Sequence, residues 1–177
     1  VVHSMGSRVA LNAVAGDSAT HARLSERPLR AVGIFSPDLG ADRFRNELAP
    51  RLPNAARRIA LYGSSRDYLL GASALINRER RAAGIARGGA PLAGIELVDE
   101  TRGPRADPFL LTVAGPEHAV RWASAALADF FHIVVADADP TCRVTVGTAD
   151  AEGDGRWRLR RGVLASDSLI ATCARPR

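Results

Sequence analysis

Ser4 is the first residue whose type and surroundings could support catalysis. It follows the apolar run Val1-Val2-His3 and precedes Met5-Gly6, after which apolar residues recur at helical spacing. A turn between a strand and a helix is tight, lifts the side chain clear of the backbone and places it before the N–H groups at the positive end of the helix. The sequence therefore predicts that Ser4 is a nucleophile for acyl transfer, although Val2 stands where the Gly-x-Ser-x-Gly pattern has its first glycine.

A serine nucleophile needs a base that takes its proton and an acid that orients the base. Asp67 follows an apolar stretch at residues 58–62, and His118 precedes a long segment with helical periodicity. Asp38 is an alternative acid because it also follows a predicted strand, and His132 is an alternative base. Each choice keeps the chain order serine, aspartate, histidine.

The histidines differ in their surroundings. His132 lies among apolar residues inside a predicted helix, where a structural role is expected, so His118 is preferred over it as the base. His21 falls in a polar connector, where we expect it to be exposed. His3 points to the opposite side of the strand from Ser4, which favours a packing or hydrogen-bonding role.

Strands and helices alternate in the elements that would position these residues. The first predicted strand ends at Ser4, and three further strands are predicted at residues 29–35, 58–62 and 95–98. The predicted helices occupy residues 9–14, 42–48, 69–76 and 118–134, and Asp42 is the predicted cap of the second helix. A polar connector runs to Pro28, and a loop is predicted at residues 84–92. The alternation predicts an α/β fold with a mostly parallel sheet and helices on both faces.

The C-terminal part of the chain has the pattern of a β-hairpin and does not continue the alternation of strands and helices. Residues 143–146 and 156–159, with a Gly-Asp-Gly turn at 153–155, predict a β-hairpin. We therefore expect an α/β domain over residues 1–136 and a C-terminal extension, residues 137–177, packed on the same domain.

Composition limits the classes of function. The chain has 177 residues, 46% of them hydrophobic and 5% aromatic, and its net charge of +5 comes from arginines alone, scattered among acidic residues. This pattern suits one domain with a core and argues against nucleic-acid binding. No apolar run approaches the roughly 20 residues of a membrane-spanning helix, so no integral membrane segment is predicted. Cys142 and Cys173 lack metal-ligand spacing and are expected to be free core thiols, with no metal or cofactor.

Four stretches together carry a resemblance to the α/β-hydrolase superfamily, specifically to a bacterial group of uncharacterised esterase/lipase-like α/β hydrolases, over residues 1–135. They are residues 2–8, the Ser-Pro-Asp-Leu at 36–39, residues 58–67 and residues 94–99. The chain is similar to the C-terminal portion of such a domain, beginning at the nucleophile turn and lacking the preceding strands. Localisation is left open, with the cytoplasm ahead of the cell envelope.

The resemblance implies a site and an activity. Ser4 would be the nucleophile, His118 the base and the Met5 backbone N–H an oxyanion donor. Asp67 would be the acid, because this fold usually carries it after the penultimate strand. The implied function is hydrolysis of a small-molecule carboxylic ester through an acyl-enzyme. The alternative is a non-catalytic remnant of the fold with a binding or structural role, which Val2 and the short start of the chain favour.

Overall fold

Six strands form one sheet in a computed structural model that describes residues 1–88, 90–101, 125–145, 147–160 and 173. Their order across the sheet is β1-β2-β3-β4-β6-β5. The strands are β1 (Val2–His3), β2 (Leu29–Phe35), β3 (Ala56–Gly63), β4 (Glu96–Asp99), β5 (Ala149–Gly153) and β6 (Arg156–Leu159). Strand β1 therefore lies at one edge of the sheet and β5 at the other.

The pairing is parallel throughout, except in the final hairpin. Val2 is opposite Ile34 in the β1–β2 pair, and the β2–β3, β3–β4 and β4–β6 pairs are also parallel. Only β5 and β6 are antiparallel. The predicted mostly parallel sheet with a C-terminal hairpin is confirmed. The carboxyl ends of β1 to β4 therefore lie side by side along one border of the sheet, which runs across the strands and is here called the carboxyl edge.

Helical segments connect the strands. They are α1 (Gly6–Leu11) with a π-helical continuation (Asn12–Gly16), α2 (Ser18–Glu26), α3 (Ala41–Arg43) with the π-helical Phe44–Leu48, α4 (Leu52–Ala55), α5 (Tyr68–Asn77), the 3₁₀ turn Ala82–Gly84, α6 (Ile85–Gly88), α7 (Ala125–Asp129) with the π-helical Phe130–Val135, and α8 (Cys142–Thr145). No helix in the described parts of the chain has both the length and the apolar character that a membrane crossing requires.

Helices cover both faces of the sheet because the central strands are apolar on both sides. Successive strand residues point to opposite faces, so neighbouring residues enter different cores. One core contains Ile34, Leu61 and Leu97 with residues of α1, α4 and α6. The other contains Phe35, Tyr62 and Val98 with residues of α7 and its continuation. Phe35 and Tyr62 stack there with ring centroids 4.4 Å apart.

Three local predictions were wrong between β1 and β4. The predicted connector before Pro28 contains α2, which starts where Asp17 accepts a hydrogen bond from the Thr20 backbone N–H at 2.8 Å. Hydrogen bonding from the side chain and then the backbone of Thr20 lowers the pKa of Asp17. The predicted loop at 84–92 contains α6, because burial of Ile85 stabilises a helical turn there. Gly40, rather than Asp42, precedes the helix after β2.

The first strand of the hairpin was also placed wrongly. Residues Cys142–Thr145 form α8, and the hairpin begins at Ala149. Val144 and Thr145 favour a strand by local preference, but Asp139 caps this turn by accepting from the Thr141 backbone N–H at 2.9 Å. The hairpin itself is confirmed, and the domain boundary at 136 stays a prediction.

A buried ion network joins α8 to the sheet. The Arg143 side chain is fully buried, and its Nε and Nη2 atoms donate to the two Asp129 carboxylate oxygens at 2.7 and 2.8 Å. The Tyr62 hydroxyl donates to the same carboxylate at 2.7 Å. Glu96 pairs with Arg143 and with Arg58. Burial lowers the pKa of Arg143, but Asp129, Tyr62 and Glu96 together raise it above its usual value, so Arg143 stays cationic.

The expectation of free thiols was wrong. Cys142 and Cys173, which are 31 positions apart in the sequence, form a disulfide with their Cα atoms 5.7 Å apart. Cysteine spacing along the chain carries no information about such pairing, because the fold brings the two residues together.

Candidate active site

Ser4 occupies a left-handed turn at the carboxyl edge. Its φ angle is 48°, a conformation that costs a non-glycine residue about 1–3 kcal/mol unless its surroundings hold it. Here its N–H donates to the Phe35 carbonyl at 3.1 Å, and its own carbonyl accepts from Ser7 at 3.0 Å and from Asp38 at 3.2 Å. The turn thus joins β1 to α1 and is fixed to the end of β2.

Ser36 provides an internal comparison for Ser4. It follows β2 as Ser4 follows β1, and its φ angle of 41° is also left-handed. Its N–H donates to the Tyr62 carbonyl at 3.0 Å. Ser36 is only 1% exposed, however, whereas Ser4 is partly exposed and leads into a helix. Of the two serines with left-handed backbones, Ser4 is therefore the more exposed.

Met5 and Gly6 complete the turn after Ser4. Met5 immediately precedes α1 as its N-cap residue, so its backbone N–H has no partner within that helix. At Gly6 an added Cβ would meet nothing within 4 Å. The strand and the helix therefore do not approach closely enough at this position to require glycine. Gly6 nevertheless matches the glycine that follows the serine by two positions in the motif.

Asp67 lies at the same edge, at the start of α5. Its Oδ1 atom accepts a hydrogen bond from the Leu70 backbone N–H at 3.0 Å, and its carbonyl accepts from Gly71 at 2.9 Å. It is 5% exposed. The sequence predicted both the helix that begins here and the position of Asp67 just beyond β3. The N-cap interaction holds the carboxyl group in a defined place.

Ser4 and Asp67 follow different strands at the carboxyl edge. Ser4 follows β1, and Asp67 lies four residues beyond Gly63, the last residue of β3, with β2 between the two strands. Neighbouring strands are about 4.8 Å apart, so the ends of β1 and β3 lie roughly 10 Å from each other.

Asp38 is close to Ser4, but structural contacts occupy its carboxylate. Arg8 Nη2 donates to Oδ2 at 3.0 Å, while the Ser73 hydroxyl donates to Oδ1 at 2.7 Å. The buried Arg81 guanidinium lies 3.2 Å from Oδ1. This cluster has no local signal in the sequence, because Arg8 lies 30 positions before Asp38 and Arg81 lies 43 positions after it.

Residues 1–108 match the model of a family described as "Alpha/beta hydrolase of unknown function (DUF900)". The chain belongs to this family. The matched segment contains β1 to β4 and with them Ser4, Asp38 and Asp67. No curated protein and no solved structure matches the chain.

The sequence offers His118 and His132 as candidates for the base. His118 lies outside the described residues, and its role stays a prediction. His132 lies in the π-helical segment after α7. The carbonyl of the next residue, Ile133, accepts from Arg58 near the amino end of β3 at 2.7 Å. His132 is therefore placed away from the carboxyl edge.

The other two histidines are also accounted for. His21, expected to be exposed in a connector, lies instead on α2 and is half-buried, with Nδ1 3.3 Å from the Val14 carbonyl. His3 is the last residue of β1 and is half-buried. Among the described residues, no three His, Cys, Asp or Glu side chains form a group that could hold a metal ion.

A third buried carboxylate was missed at the carboxyl edge. Asp99 ends β4 and is 3% exposed. Its Oδ1 accepts from the Thr101 backbone N–H at 2.9 Å, and Arg158 Nε lies 3.6 Å from its Oδ2. These contacts stabilise the chain as it leaves the sheet and the pairing of β4 with β6.

Proposed function

We propose that this α/β hydrolase cleaves carboxylic esters through an acyl-enzyme on Ser4. The observation that carries the proposal is the left-handed, partly exposed Ser4 between β1 and α1. Such strain persists only where surrounding contacts hold it, and it positions a side chain for chemistry. Asp67, two strands away on the same edge, supports the proposal as the orienting acid.

The reaction has two halves. The base, assigned to His118, takes the Ser4 hydroxyl proton while Oγ attacks the ester carbonyl carbon. The Met5 N–H stabilises the oxyanion, and the alcohol leaves with the proton that the base returns. Water, deprotonated by the same base, then attacks the acyl carbon, and the base returns this proton to Ser4 Oγ as the acid is released. Asp67 holds the imidazole and stabilises its cationic form.

Esters are favoured over amides as substrates for a physical reason. Loss of one oxyanion donor typically lowers the rate on the order of 10²–10³-fold. Met5 is the donor that we assign within the described turn. An ester carbonyl has less resonance stabilisation than an amide carbonyl, and an alkoxide is a better leaving group than an amide anion, so ester cleavage depends less on strong stabilisation of the intermediate.

Labelling with a fluorophosphonate probe tests the proposal. The wild-type chain should be labelled on Ser4, should hydrolyse p-nitrophenyl acetate, and should lose both properties in Ser4→Ala. Ser7→Ala is the matched control, because Ser7 lies one helical turn away and its hydroxyl is fully buried. Labelling that persists in Ser4→Ala contradicts the assignment. A folded wild-type chain with neither labelling nor turnover would instead support a binding or structural role.

A further inference from the structure

A groove of about 680 Å³ opens between α3 and the chain segment around α6. Ala41 and Ile85 contribute apolar lining, and arginines contribute much of the remainder. The groove is separate from the Ser4 turn, and the proposed hydrolysis assigns it no role.

Hydrogen bonds hold the two walls of the groove in place. The Ala41 backbone N–H donates to the Arg80 carbonyl at 2.7 Å, and Gly40 and Arg81 form an antiparallel bridge beside it. Elsewhere along the groove, Arg45 Nη1 donates to the Ala90 carbonyl at 3.1 Å. Because both walls are tied together, a ligand would not have to order them on binding.

Two of the lining arginines have uncommitted side chains. Arg80 and Arg87 are exposed, and within the described parts of the chain neither guanidinium forms a hydrogen bond or an ion pair. Arg81 differs, since its buried side chain pairs with Asp38 at 3.2 Å and with Glu79 at 2.9 Å. Arg81 is therefore neutralised inside the protein, whereas Arg80 and Arg87 are available to a ligand.

The charged residues that line the groove indicate the charge of the ligand it would bind. Arg45, Arg80 and Arg87 contribute three positive charges, and Asp42 contributes one negative charge. The balance of +2 matches a phosphate group that carries two negative charges better than a carboxylate that carries one. Guanidinium groups also present paired N–H donors with the geometry of phosphate oxygens.

We propose that this groove binds the phosphate group of a ligand, with Arg80 and Arg87 as the principal donors and Arg45 as a third. Asp42 opposes binding and limits affinity for the anion. The same chemistry would hold a free phosphate monoester or the headgroup of an anionic phospholipid. The proposal does not depend on Ser4 chemistry, because binding is measured without turnover.

Isothermal titration of the full chain with inorganic phosphate at low ionic strength tests the proposal. Phosphate should bind, and Arg80→Gln and Arg87→Gln should each weaken binding about tenfold, the loss expected for one charge-assisted contact. Arg27→Gln is the control, since Arg27 is exposed but does not line the groove, and it should leave affinity unchanged. Asp42→Asn should tighten binding several-fold, because it removes the opposing charge.

Two further arms identify the source and the specificity of the ligand. Sedimentation with phosphatidic acid vesicles in a phosphatidylcholine background should deplete the chain if the phosphate is a lipid headgroup, and should leave it in solution if the ligand is soluble. Acetate should bind more weakly than phosphate. Equal binding of acetate, an equal loss in Arg27→Gln, or no binding of either phosphate or vesicles would overturn the proposal.

Discussion

The backbone N–H of Asp38 donates to the carbonyl of Ser4 at 3.2 Å, which fixes the turn of the proposed nucleophile to the loop after the neighbouring strand. Arg8 strengthens this connection, because its Nε donates to the Asp38 carbonyl at 2.6 Å while its Nη2 contacts the carboxylate. The Asp38 backbone therefore stabilises the Ser4 turn, and Arg8 binds the Asp38 carboxylate, which the sequence offers as an alternative acid.

Substitution of the two candidate acids, Asp67 and Asp38, should have different effects on kcat and on stability. Asp67→Asn should lower kcat for p-nitrophenyl acetate by about 10³–10⁴-fold, since an amide cannot hold the imidazole in the correct tautomer. Asn remains a good N-cap, so stability should change little. Asp38→Asn should keep most of kcat but lower the free energy of unfolding by about 3 kcal/mol, because it leaves the buried Arg81 without this partner. Steady-state kinetics and urea unfolding measure both effects; the reverse pattern would identify Asp38 as the acid.

Breaking the buried ion network should destabilise the fold far more than breaking a surface ion pair. Asp129→Asn should lower the free energy of unfolding by about 3–5 kcal/mol, because the fully buried Arg143 would keep its charge and lose its bidentate partner. Asp150→Asn is the matched control: Asp150 pairs with Arg160 at 2.6 Å, but both side chains are about half exposed. Its loss should cost about 0–1 kcal/mol in the same urea experiment. Equal losses in the two variants would contradict this prediction, because breaking the buried network would then cost no more than breaking the surface pair.

Tyr62 should make the protein less stable in alkali. Burial, and then the neighbouring Asp129 carboxylate, raise the pKa of Tyr62 well above 10. Above pH 10 the unfolded chain releases this proton while the folded chain keeps it, so the free energy of unfolding should fall by about 1.4 kcal/mol per pH unit. Denaturant unfolding between pH 9 and pH 11 measures the slope. Tyr62→Phe should remove this contribution, whereas the exposed Tyr68→Phe should retain it; an unchanged slope in Tyr62→Phe would contradict the account.

The disulfide should stabilise the fold by restricting the unfolded chain. Closing a loop between residues 31 positions apart is worth about 3–4 kcal/mol in the chain-entropy model. Dithiothreitol should therefore lower the Tm of the wild-type chain and leave that of the Cys142→Ser/Cys173→Ser double variant unchanged. Alkylation of the unfolded, unreduced chain followed by mass spectrometry gives an independent check. Two modified cysteines in that experiment would mean that the bond is absent.

Much of the fold could be predicted because its signals are local. The apolar runs of β2, β3 and β4 stand between helical segments, and Asp67 marks the start of α5 as well as the end of the preceding loop. The errors arose where a local preference was weak. Helix α2 lacks an apolar face and depends on its Asp17 cap, while α8 forms against strand-favouring residues because Arg143 is bound in the interior.

The sequence by itself determined the α/β class, the strand-to-helix turn at Ser4 and the position of Asp67 beyond a strand, because hydrophobic periodicity and capping depend on neighbours along the chain. Only the tertiary structure decided that Asp38 is held by Arg81, that Cys142 pairs with Cys173, and that separate arginines line one groove. Those contacts join residues tens of positions apart. Their partners are chosen by the packing of helices on the sheet, which no local pattern encodes.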